Sequence, residues 1–234
     1  MDGLLSVQQV SKSYSRGEQD VSVLKDINFE VQAGDYVALM GPSGSGKTTL
    51  LNIIGGIDSP TSGRVLMEGA DISQLADAEL AAWRTSNVGF VFQQYNLLPV
   101  LTAVENVELP LLLLDMTKDE RRRRALTALE IVGLKPRAHH YPRQMSGGEE
   151  QRTSVARALV TDPKLIIADE PTGNLDAAAA SNVLDLLQTL NEKFQKTILM
   201  VTHDPGAAGR AKRTVRLNKG ALVQDAGQPH GRPQ

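Results

Sequence analysis

The chain contains no cysteine among its 234 residues. Disulfide bonds and cysteine-ligated zinc sites are therefore excluded, and the composition fits a reducing compartment. The formal net charge is only −2, so the chain also lacks the global positive charge that favours nucleic-acid binding. We therefore expect no nucleic-acid partner.

Long hydrophobic runs are missing as well. The longest apolar stretch, residues 109–114, is much shorter than the about 20 residues that a membrane-spanning helix needs. The first five residues show no basic segment followed by an apolar one, so we expect no signal peptide. We expect a protein that is soluble by itself and acts at a membrane only through a partner.

One glycine-rich stretch fits the phosphate-binding loop G-x-x-x-x-G-K-[ST]. It reads Gly41-Pro42-Ser43-Gly44-Ser45-Gly46-Lys47-Thr48. An apolar run (36–40) precedes it and a helical pattern (48–54) follows it, which is the strand–loop–helix context that the motif requires. The alternative is a glycine-rich turn that matches by chance, and this context disfavours it.

The chemistry of a nucleotide explains the residue types in this loop. Glycines let backbone N–H groups approach phosphate oxygens without interference from a Cβ atom, and the N-terminus of the following helix adds its positive dipole end. Lys47 would reach the β- and γ-phosphates, and the Thr48 hydroxyl would bind Mg²⁺. The sequence therefore predicts a nucleotide-binding site here.

Two acids follow a continuous apolar strand, residues 164–168. A Mg²⁺ ion between Asp169 and the phosphates would supply the counter-charge that adjacent acids at a strand end need. Glu170 would polarise the attacking water as a general base. The alternative is that both acids are simply solvated at a turn.

Two further polar residues end predicted strands. Gln93 follows 88–92, and as a neutral ligand it could bind Mg²⁺ or the attacking water. His203 follows 196–202 and could contact the γ-phosphate. Taken alone, a surface glutamine and a structural histidine are the simpler interpretations, so both functional roles depend on the neighbouring motifs.

A second glycine pair precedes a helical pattern that runs to Leu159. It lies in Ser146-Gly147-Gly148-Glu149-Glu150-Gln151-Arg152. Ser146 and Glu149 have the spacing of a capping box, which would only start a helix. Alternatively, the glycines and the helix N-terminus form a second phosphate-binding surface. Because one loop already surrounds the phosphates, such a surface is best explained if it faces the nucleotide of another copy of the chain.

The remaining patterns predict a parallel α/β core with an antiparallel β piece near the N-terminus. Strands are expected at 4–10, 22–31 and 64–68, a polar loop at 11–20, and helices at 77–84, 120–132 and 178–194. Residues 97–160 are expected to form a helical insertion, and 227–234 a flexible tail. We interpret the basic run 121–124 as a solvated helix face rather than a polyanion site.

Taken together, six ordered motifs closely resemble those of the nucleotide-binding domain of ATP-binding cassette (ABC) proteins. They are the phosphate loop, the Gln93 loop, the 146–151 segment, Asp169-Glu170, Asn174-Leu175-Asp176 and His203. The usual family signature is LSGGQ, and this chain has Met145 in place of its Leu and Glu149 in place of its Gln. The Glu form occurs in the family, so activity is still expected. Glu149 and Glu150 would repel a nearby γ-phosphate, and we expect the positive charge of Arg152 to offset this repulsion.

The resemblance implies a P-loop NTPase fold: a RecA-like parallel sheet core, an N-terminal antiparallel β subdomain and an inserted α-helical subdomain. The ATPase domain would cover 1–226, with the core and β subdomain at about 1–96 and 161–226 and the helical subdomain at about 97–160.

The resemblance also implies ATP and Mg²⁺ as ligands. Tyr14 would stack on adenine, and the phosphate loop through Thr49 would bind phosphates and Mg²⁺. Ser146 to Glu149 would complete the ATP site of a second copy in a head-to-tail dimer that sandwiches two ATP molecules. Asp176 would lie at the interface of that dimer.

For the chemical step, the resemblance implies that Glu170 and His203 support hydrolysis. Asp169 would hold the metal together with Thr48, and Gln93 would link the catalytic site to a membrane subunit.

Two segments are similar to a narrower group, the lipoprotein-release, macrolide-export and cell-division ATPases. They are 89–107 and 168–176. This similarity implies a permease with a large extracytoplasmic domain, in some systems a periplasmic adaptor, and a peripheral position on the cytoplasmic face of the inner membrane. The apolar segment 97–101 would form a docking groove for a permease helix, and core packing is the alternative.

Three other functions compete with export or extraction. One is a cell-division-type ATPase that signals through a permease without transport. Another is an ABC ATPase of DNA repair or translation, which the single cassette and the absence of a long heptad pattern disfavour. The third is a small-molecule kinase, which the 146–151 segment disfavours.

Overall fold

The computed structural model of the chain describes residues 3–17 and 19–223. The strands are β1 (Leu5–Arg16), β2 (Gln19–Val31), β3 (Tyr36–Met40), β4 (Ser62–Met67), β5 (Ala70–Asp71), β6 (Val88–Phe92), β7 (Leu165–Asp169), β8 (Thr197–Val201), β9 (Arg213–Asn218) and β10 (Ala221–Val223). The α-helices are α1 (Lys47–Ile54), α2 (Asp77–Asn87), α3 (Ala103–Glu108), α4 (Lys118–Ile131), α5 (Gly147–Leu159), α6 (Ala177–Phe194) and α7 (Pro205–Ala208).

The larger sheet has six strands in the order β10-β9-β3-β8-β7-β6. All neighbours from β9 to β6 are parallel, and only β10 pairs in the antiparallel direction. Alternate side chains of β8 enter two different hydrophobic clusters: Ile198 and Met200 face one, and Leu199 and Val201 face the other. Both faces of this sheet are therefore covered, which explains why its strands are continuous apolar runs.

The smaller sheet is antiparallel, with the order β2-β1-β4-β5. It packs with α1 on one face of the larger sheet, in a cluster that includes Leu5, Leu24, Leu50 and Ile54. Each fully buried side chain of this size contributes about 1.5–3 kcal/mol through removal of apolar surface from water. Helix α1, which follows the phosphate loop, is thereby fixed against both sheets.

The other face of the larger sheet is covered by helices. Helices α3, α4 and α5 lie between β6 and β7 in the chain, and they pack together with α6 around Val104, Leu129, Val155 and Leu187. Three of the four arginines in the basic run have local partners in α4 or beside it: Arg121 donates to the Met116 carbonyl, while Arg122 and Arg124 pair with acids. This agrees with a helix face rather than a polyanion site.

The predicted loop at 11–20 is wrong. Strand β1 continues to Arg16 and β2 begins at Gln19, so that Tyr14 lies opposite Val21 in a long hairpin. This end of the hairpin extends beyond the core, and residues 11–20 are polar or small apart from Tyr14, so no alternation of apolar residues marks the segment as a strand. Gly17, with φ of +65°, lies at the turn.

The other predicted elements agree to within a few residues, and 36–40 and 88–92 match β3 and β6 at both ends. Strands β9 and β10 were not predicted, and the expected flexible tail at 227–234 lies outside the described residues. None of the described helices combines the length and the hydrophobicity needed to cross a bilayer.

Candidate active site

The carboxyl ends of adjacent parallel strands bring the predicted site residues together at one edge of the larger sheet. The phosphate loop follows β3 and His203 follows β8. Asp169 ends β7, Glu170 comes directly after it, and Gln93 follows β6. Open α/β sheets place ligands at this edge. The cleft there has a volume of ≈ 770 Å³, and its lining residues are Val23, Gly41, Pro42, Ser43, Gly44, Gly46, Lys47, Thr48, Thr49, Gln93, Asp169, Glu170, Val201 and His203.

Two glycines of the phosphate loop occupy positions where a side chain does not fit. A Cβ atom on Gly41 would lie 2.1 Å from the Leu217 carbonyl oxygen. Gly46 has φ of +101°, and a Cβ atom there would lie 2.8 Å from Leu24 Cδ2. Atoms of β9 and β2 therefore approach these two positions too closely for a residue with a side chain.

The ammonium group of Lys47 folds over the loop. Its Nζ atom donates to the carbonyl oxygens of Gly41 at 2.8 Å and Pro42 at 3.0 Å. Its positive charge is thus held at the cleft by two backbone acceptors. A charge in this position is suited to phosphate oxygens, which bind Lys through charge-assisted hydrogen bonds.

Thr48 and Asp169 form the oxygen pair expected of a metal site. The Thr48 hydroxyl donates to Asp169 Oδ2 at 3.4 Å. Burial raises the pKa of Asp169, and the adjacent charge of Glu170 raises it further, while Thr48 and Lys47 lower it. A desolvated carboxylate beside a hydroxyl is a donor set that suits a hard cation such as Mg²⁺.

Glu170 and His203 are in direct contact. His203 Nδ1 lies 2.9 Å from both carboxylate oxygens of Glu170. Glu170 has φ of +48°, and its N–H donates to the Val201 carbonyl at 2.9 Å. This left-handed conformation of a non-glycine residue turns the chain sharply after β7, and such conformations are concentrated at functional sites.

Gln93 lines the cleft and is bound to the loop that follows β7. Its Nε2 donates to Asn174 Oδ1 at 3.2 Å, and Asn174 Nδ2 donates to the Gln93 carbonyl at 3.1 Å. A Cβ atom on Gly173 would lie 2.8 Å from Gln93 Nε2, so a glycine is needed for this approach. The two loops are therefore linked side chain to side chain.

The 146–149 segment forms the capping box that the spacing predicts. Ser146 Oγ accepts from the Glu149 N–H at 3.2 Å, and Glu149 Oε2 accepts from the Ser146 N–H at 2.9 Å. The Ser146 N–H and the guanidinium of Arg137, 3.0 Å away, hold the pKa of Glu149 below its usual value. The observed counter-charge of Glu149 is Arg137, whereas Arg152 was expected.

Residues 146–149 and Asp176 are outside the cleft. No residue of 146–149 is among the described residues that line it. Asp176 caps α6, because its Oδ1 accepts from the Ala179 N–H at 2.8 Å. Within one chain Ser146, Glu149 and Asp176 therefore cap helices, and none of them is among the described residues that line the cleft.

Tyr14 stands on β1 at the border of the cleft. Its hydroxyl donates to Asp58 Oδ2 at 2.6 Å and lies near the side chain of Thr49, which lines the cleft. The residue is 42% exposed. Tyr14 is thus tethered beside α1 with part of its ring open to solvent.

Sequence reasoning missed the polar groups that hold the Gln93 loop. Gln151 is fully buried and donates to the carbonyls of Pro171 at 2.6 Å and Phe92 at 3.3 Å. Arg157 donates to the carbonyls of Tyr95 at 2.7 Å and Asn96 at 2.5 Å. Their partners are backbone atoms distant in sequence. The only signal was a glutamine and an arginine in a helix that otherwise carries mostly small and apolar residues.

Comparisons with known proteins agree with this geometry. The ABC transporter family model matches residues 24–173. The lipoprotein-releasing system ATP-binding protein LolD of Chromohalobacter salexigens is 44% identical over 223 residues, which cover 95% of this chain and 94% of LolD. The macrolide export ATP-binding/permease protein MacB of Rhodopirellula baltica is 46% identical over 230 residues, which cover 96% of this chain and 33% of MacB.

A solved structure shows the same architecture. It is the dimeric, post-hydrolysis state of the ATP-binding cassette MJ0796 of Methanocaldococcus jannaschii, bound to ADP and Pi. The TM-score is 0.86 at 44% sequence identity, and the match covers 94% of this chain and 97% of that chain. The expected fold class, a P-loop NTPase core with an antiparallel β sheet and helices, is confirmed. The chain belongs to the ABC transporter family of ATP-binding proteins and is an ABC-type ATPase.

Proposed function

We propose that this ABC ATPase is the energy-coupling subunit of a membrane complex for export, extraction or transmembrane force transmission. Binding of Mg²⁺-ATP closes a dimer of two copies, hydrolysis opens it, and a separate permease follows these movements. One observation carries the proposal. The cleft contains a phosphate loop, a metal-type oxygen pair and a Glu–His pair, but the second glycine pair of the chain lies outside it.

Within one copy, backbone N–H groups of the phosphate loop and Lys47 bind the phosphates. Thr48 and Asp169 would hold Mg²⁺, and the side-chain oxygen of Gln93 would be a further ligand. When bound, Mg²⁺ neutralises charge on the phosphate oxygens. Tyr14 stacks on the adenine.

Glu170 is the general base of this scheme. Its carboxylate accepts a proton from the water that attacks the γ-phosphorus, and ADP leaves as the bond to the β-phosphate oxygen breaks. His203 Nδ1, which is within hydrogen-bond distance of both Glu170 oxygens, orients that carboxylate.

The second copy completes the site. Ser146, Gly147, Gly148 and Glu149 stand at the N-terminus of α5, a helix of 13 residues whose first N–H groups and dipole suit a γ-phosphate. Asp176 belongs at the same interface. The likeness to a cassette solved as a dimer with ADP and Pi supports this arrangement.

The permease would dock on exposed apolar side chains on either side of α3 in sequence. Val100 is 78% exposed and Leu98 is exposed in the loop after Gln93, while Leu112 and Leu113 are exposed after α3. Asn106 holds this loop, because its Nδ2 donates to the carbonyls of Leu98 and Leu101 at 3.1 and 3.0 Å. A docked permease helix would therefore follow the movement of α3 to α5, which we assign to a helical subdomain at about 97–160.

The partner is proposed to be a permease with a large extracytoplasmic domain, which a periplasmic adaptor can extend. MacB of Rhodopirellula baltica is named as an ATP-binding/permease protein, and its match to this chain covers 33% of MacB, so a relative of this ATPase is associated with a permease. The ATPase would then lie peripherally on the cytoplasmic face of the inner membrane.

Affinity purification of a Glu170→Gln variant from detergent-solubilised membranes, with mass spectrometry, tests this role. We expect a permease with a large periplasmic domain to co-purify. Adding Val100→Asp should remove the permease, whereas Phe194→Asp, which changes an exposed apolar residue at the end of α6, should not. Recovery only in the soluble fraction, with nucleic acid or ribosomal proteins, would overturn the membrane role and leave the ATPase assignment intact.

A further inference from the structure

Three side chains connect the hairpin of the antiparallel sheet to the segment that follows α1. Lys12 Nζ donates to Asp58 Oδ1 at 2.6 Å and to the Ser59 carbonyl at 2.7 Å. The Tyr14 hydroxyl donates to the other oxygen of Asp58 at 2.6 Å. Lys12 and Tyr14 are both on β1, and Asp58 follows the end of α1. We call these residues, Lys12, Tyr14 and Asp58, the tyrosine brace.

The tyrosine brace fixes the ring of Tyr14 while leaving part of it exposed. The Lys12 ammonium lies 4.8 Å from the ring centroid, and the hydroxyl is held by its hydrogen bond to Asp58. Val21 pairs directly with Tyr14, so the two side chains share a face of the hairpin, and Val21 is 47% exposed. Val23 of the same strand lines the nucleotide cleft. An apolar surface with a fixed aromatic ring therefore stands beside the phosphate loop.

The charges in the brace are defined at neutral pH. Burial alone would raise the pKa of Asp58, but hydrogen bonds from Lys12, Tyr14 and the Ser59 N–H outweigh it and lower that pKa. Burial and the adjacent Asp58 raise the pKa of Tyr14. Asp58 is therefore an ionised acceptor and the Tyr14 hydroxyl a donor, so the hydrogen bond between them has one fixed direction.

Packing of the hairpin onto α1 does not explain the brace. The Lys12 and Asp58 side chains are only 12% and 27% exposed. Partly buried ion pairs lose hydration that their mutual attraction only partly returns, and apolar side chains would join two elements as well or better. Unlike apolar contacts, the Lys12–Asp58 pair fixes the position of the Tyr14 hydroxyl and places a positive charge against the Tyr14 ring.

We propose that Lys12 and Asp58 are positioning residues that hold the Tyr14 ring as a preformed platform for the purine base of the nucleotide. This inference rests on the proposed nucleotide site. It adds that Lys12 and Asp58, acting through Tyr14, determine the affinity for the base. A ring immobilised before binding loses no rotamer freedom when the base stacks on it. The cation draws electron density from the ring and thereby favours stacking of an electron-rich purine on the opposite face.

The test compares two ligands in the same variants: Mg²⁺-ATP and Mg²⁺-tripolyphosphate, which has phosphates but no base. We expect Lys12→Met, Asp58→Ala and Tyr14→Phe each to weaken ATP binding by about 3- to 10-fold. Tripolyphosphate binding should stay unchanged. Tyr14→Phe is the sharpest variant, because it keeps the ring and removes only the anchoring hydroxyl. Tyr14→Ala should cost more than any of them, and Lys12→Arg should retain affinity.

Lys164→Met is the matched control, since it removes one partner of the exposed Lys164–Glu68 ion pair far from the brace in sequence. This variant should bind both Mg²⁺-ATP and Mg²⁺-tripolyphosphate with unchanged affinity. Equal losses for ATP and tripolyphosphate in the brace variants would show that the brace only supports the phosphate loop. Unchanged ATP binding in Tyr14→Phe and Lys12→Met would equally overturn the inference. In both cases, weaker binding of ATP and of tripolyphosphate in Lys47→Ala would still support the proposed nucleotide site. If Asp58→Ala fails to fold, the other variants decide.

Discussion

Individual residues in the cleft carry charge in places that are only partly accessible to water. Lys47 is held by two carbonyl oxygens, and Asp169 is a partly desolvated carboxylate beside Glu170. Without a ligand, these groups interact mainly with the protein. The same groups would gain charge-assisted hydrogen bonds to a phosphate or a metal ligand, which are stronger than those between neutral groups.

Replacing Lys47 with Ala should weaken ATP binding by about 10- to 100-fold, because it removes charge-assisted hydrogen bonds to the phosphates. Isothermal titration calorimetry measures the affinity. Lys135→Ala removes an exposed lysine that pairs with Glu130 on the surface, and it should bind ATP normally. Equal affinity in Lys47→Ala and the original protein would refute the assignment of the phosphate loop.

Replacing Asp169 with Asn should stabilise the nucleotide-free protein and abolish hydrolysis. The folded state raises the pKa of Asp169, so it favours the neutral form, and stability is lost as the pH rises through that raised value. Because Asn is neutral at every pH, the gain in melting temperature should grow from pH 4 to pH 8. Asp185→Asn, which removes an acid paired with Arg210 on the surface, is the control. A gain that falls with rising pH would contradict the argument.

Residue-level prediction from the sequence selected residues that lie together in the structure where a motif fixes both residue type and chain position. The phosphate loop, Asp169, Glu170, Gln93 and His203 all line one cleft. It failed for residues whose role is defined only by distant backbone atoms. No local sequence pattern predicts that Arg157 contacts the carbonyls of Tyr95 and Asn96, or that Asp58 contacts Tyr14.

At the scale of elements, the N-terminus of α5 has one observed role and one proposed role, and the two can be separated by substitution. The Ser146 side chain caps the helix within one chain, and the proposed function adds contact with a phosphate of the other copy. Asp caps helices as well as Ser does, but it brings a negative charge. A substitution can therefore keep the first function and remove the second.

Ser146→Asp should change the free energy of unfolding by less than about 0.5 kcal/mol, because the cap is kept. ATP-dependent dimerisation should weaken by about 100-fold through repulsion between like charges. Thr117→Asp likewise replaces a capping hydroxyl with a carboxylate, at the start of α4, where Thr117 Oγ1 accepts from the Glu120 N–H. This control should change neither the free energy of unfolding nor the dimerisation. Thermal unfolding and analytical ultracentrifugation measure the two effects. Normal dimerisation of Ser146→Asp would indicate a capping role alone.

Element-level prediction followed the hydrophobic periodicity. Strands β3 and β6 were predicted at their observed bounds because they are buried on both faces and therefore read as apolar runs. The end of the β1–β2 hairpin was predicted as a loop because it projects from the core and is held by backbone pairing, which leaves no pattern in the side chains. Sequence periodicity reports burial, and exposed strands escape it.

At the scale of the whole molecule, the order of the strands explains why motifs far apart in sequence meet. Strand β8 lies between β3 and β7, so the ends of these three strands place the phosphate loop, His203 and Glu170 side by side. The sequence predicted a parallel core and a separate antiparallel sheet, but it did not predict this strand order. Pairing between strands depends on long-range contacts that local patterns do not encode. The glycine pair at 147–148 is not among the residues that line the cleft, and we propose that it serves the nucleotide site of a second copy.

The most direct test of the central claim is size-exclusion chromatography with light scattering of a Glu170→Gln variant, with and without Mg²⁺-ATP. The loss of the general base should lower turnover by at least about 100-fold while ATP still binds. We predict a mass of one chain, 25.3 kDa, without nucleotide and about twice that mass with Mg²⁺-ATP. Adding Ser146→Asp should return the mass to one chain. A variant that binds Mg²⁺-ATP and stays strictly monomeric would contradict the two-copy site.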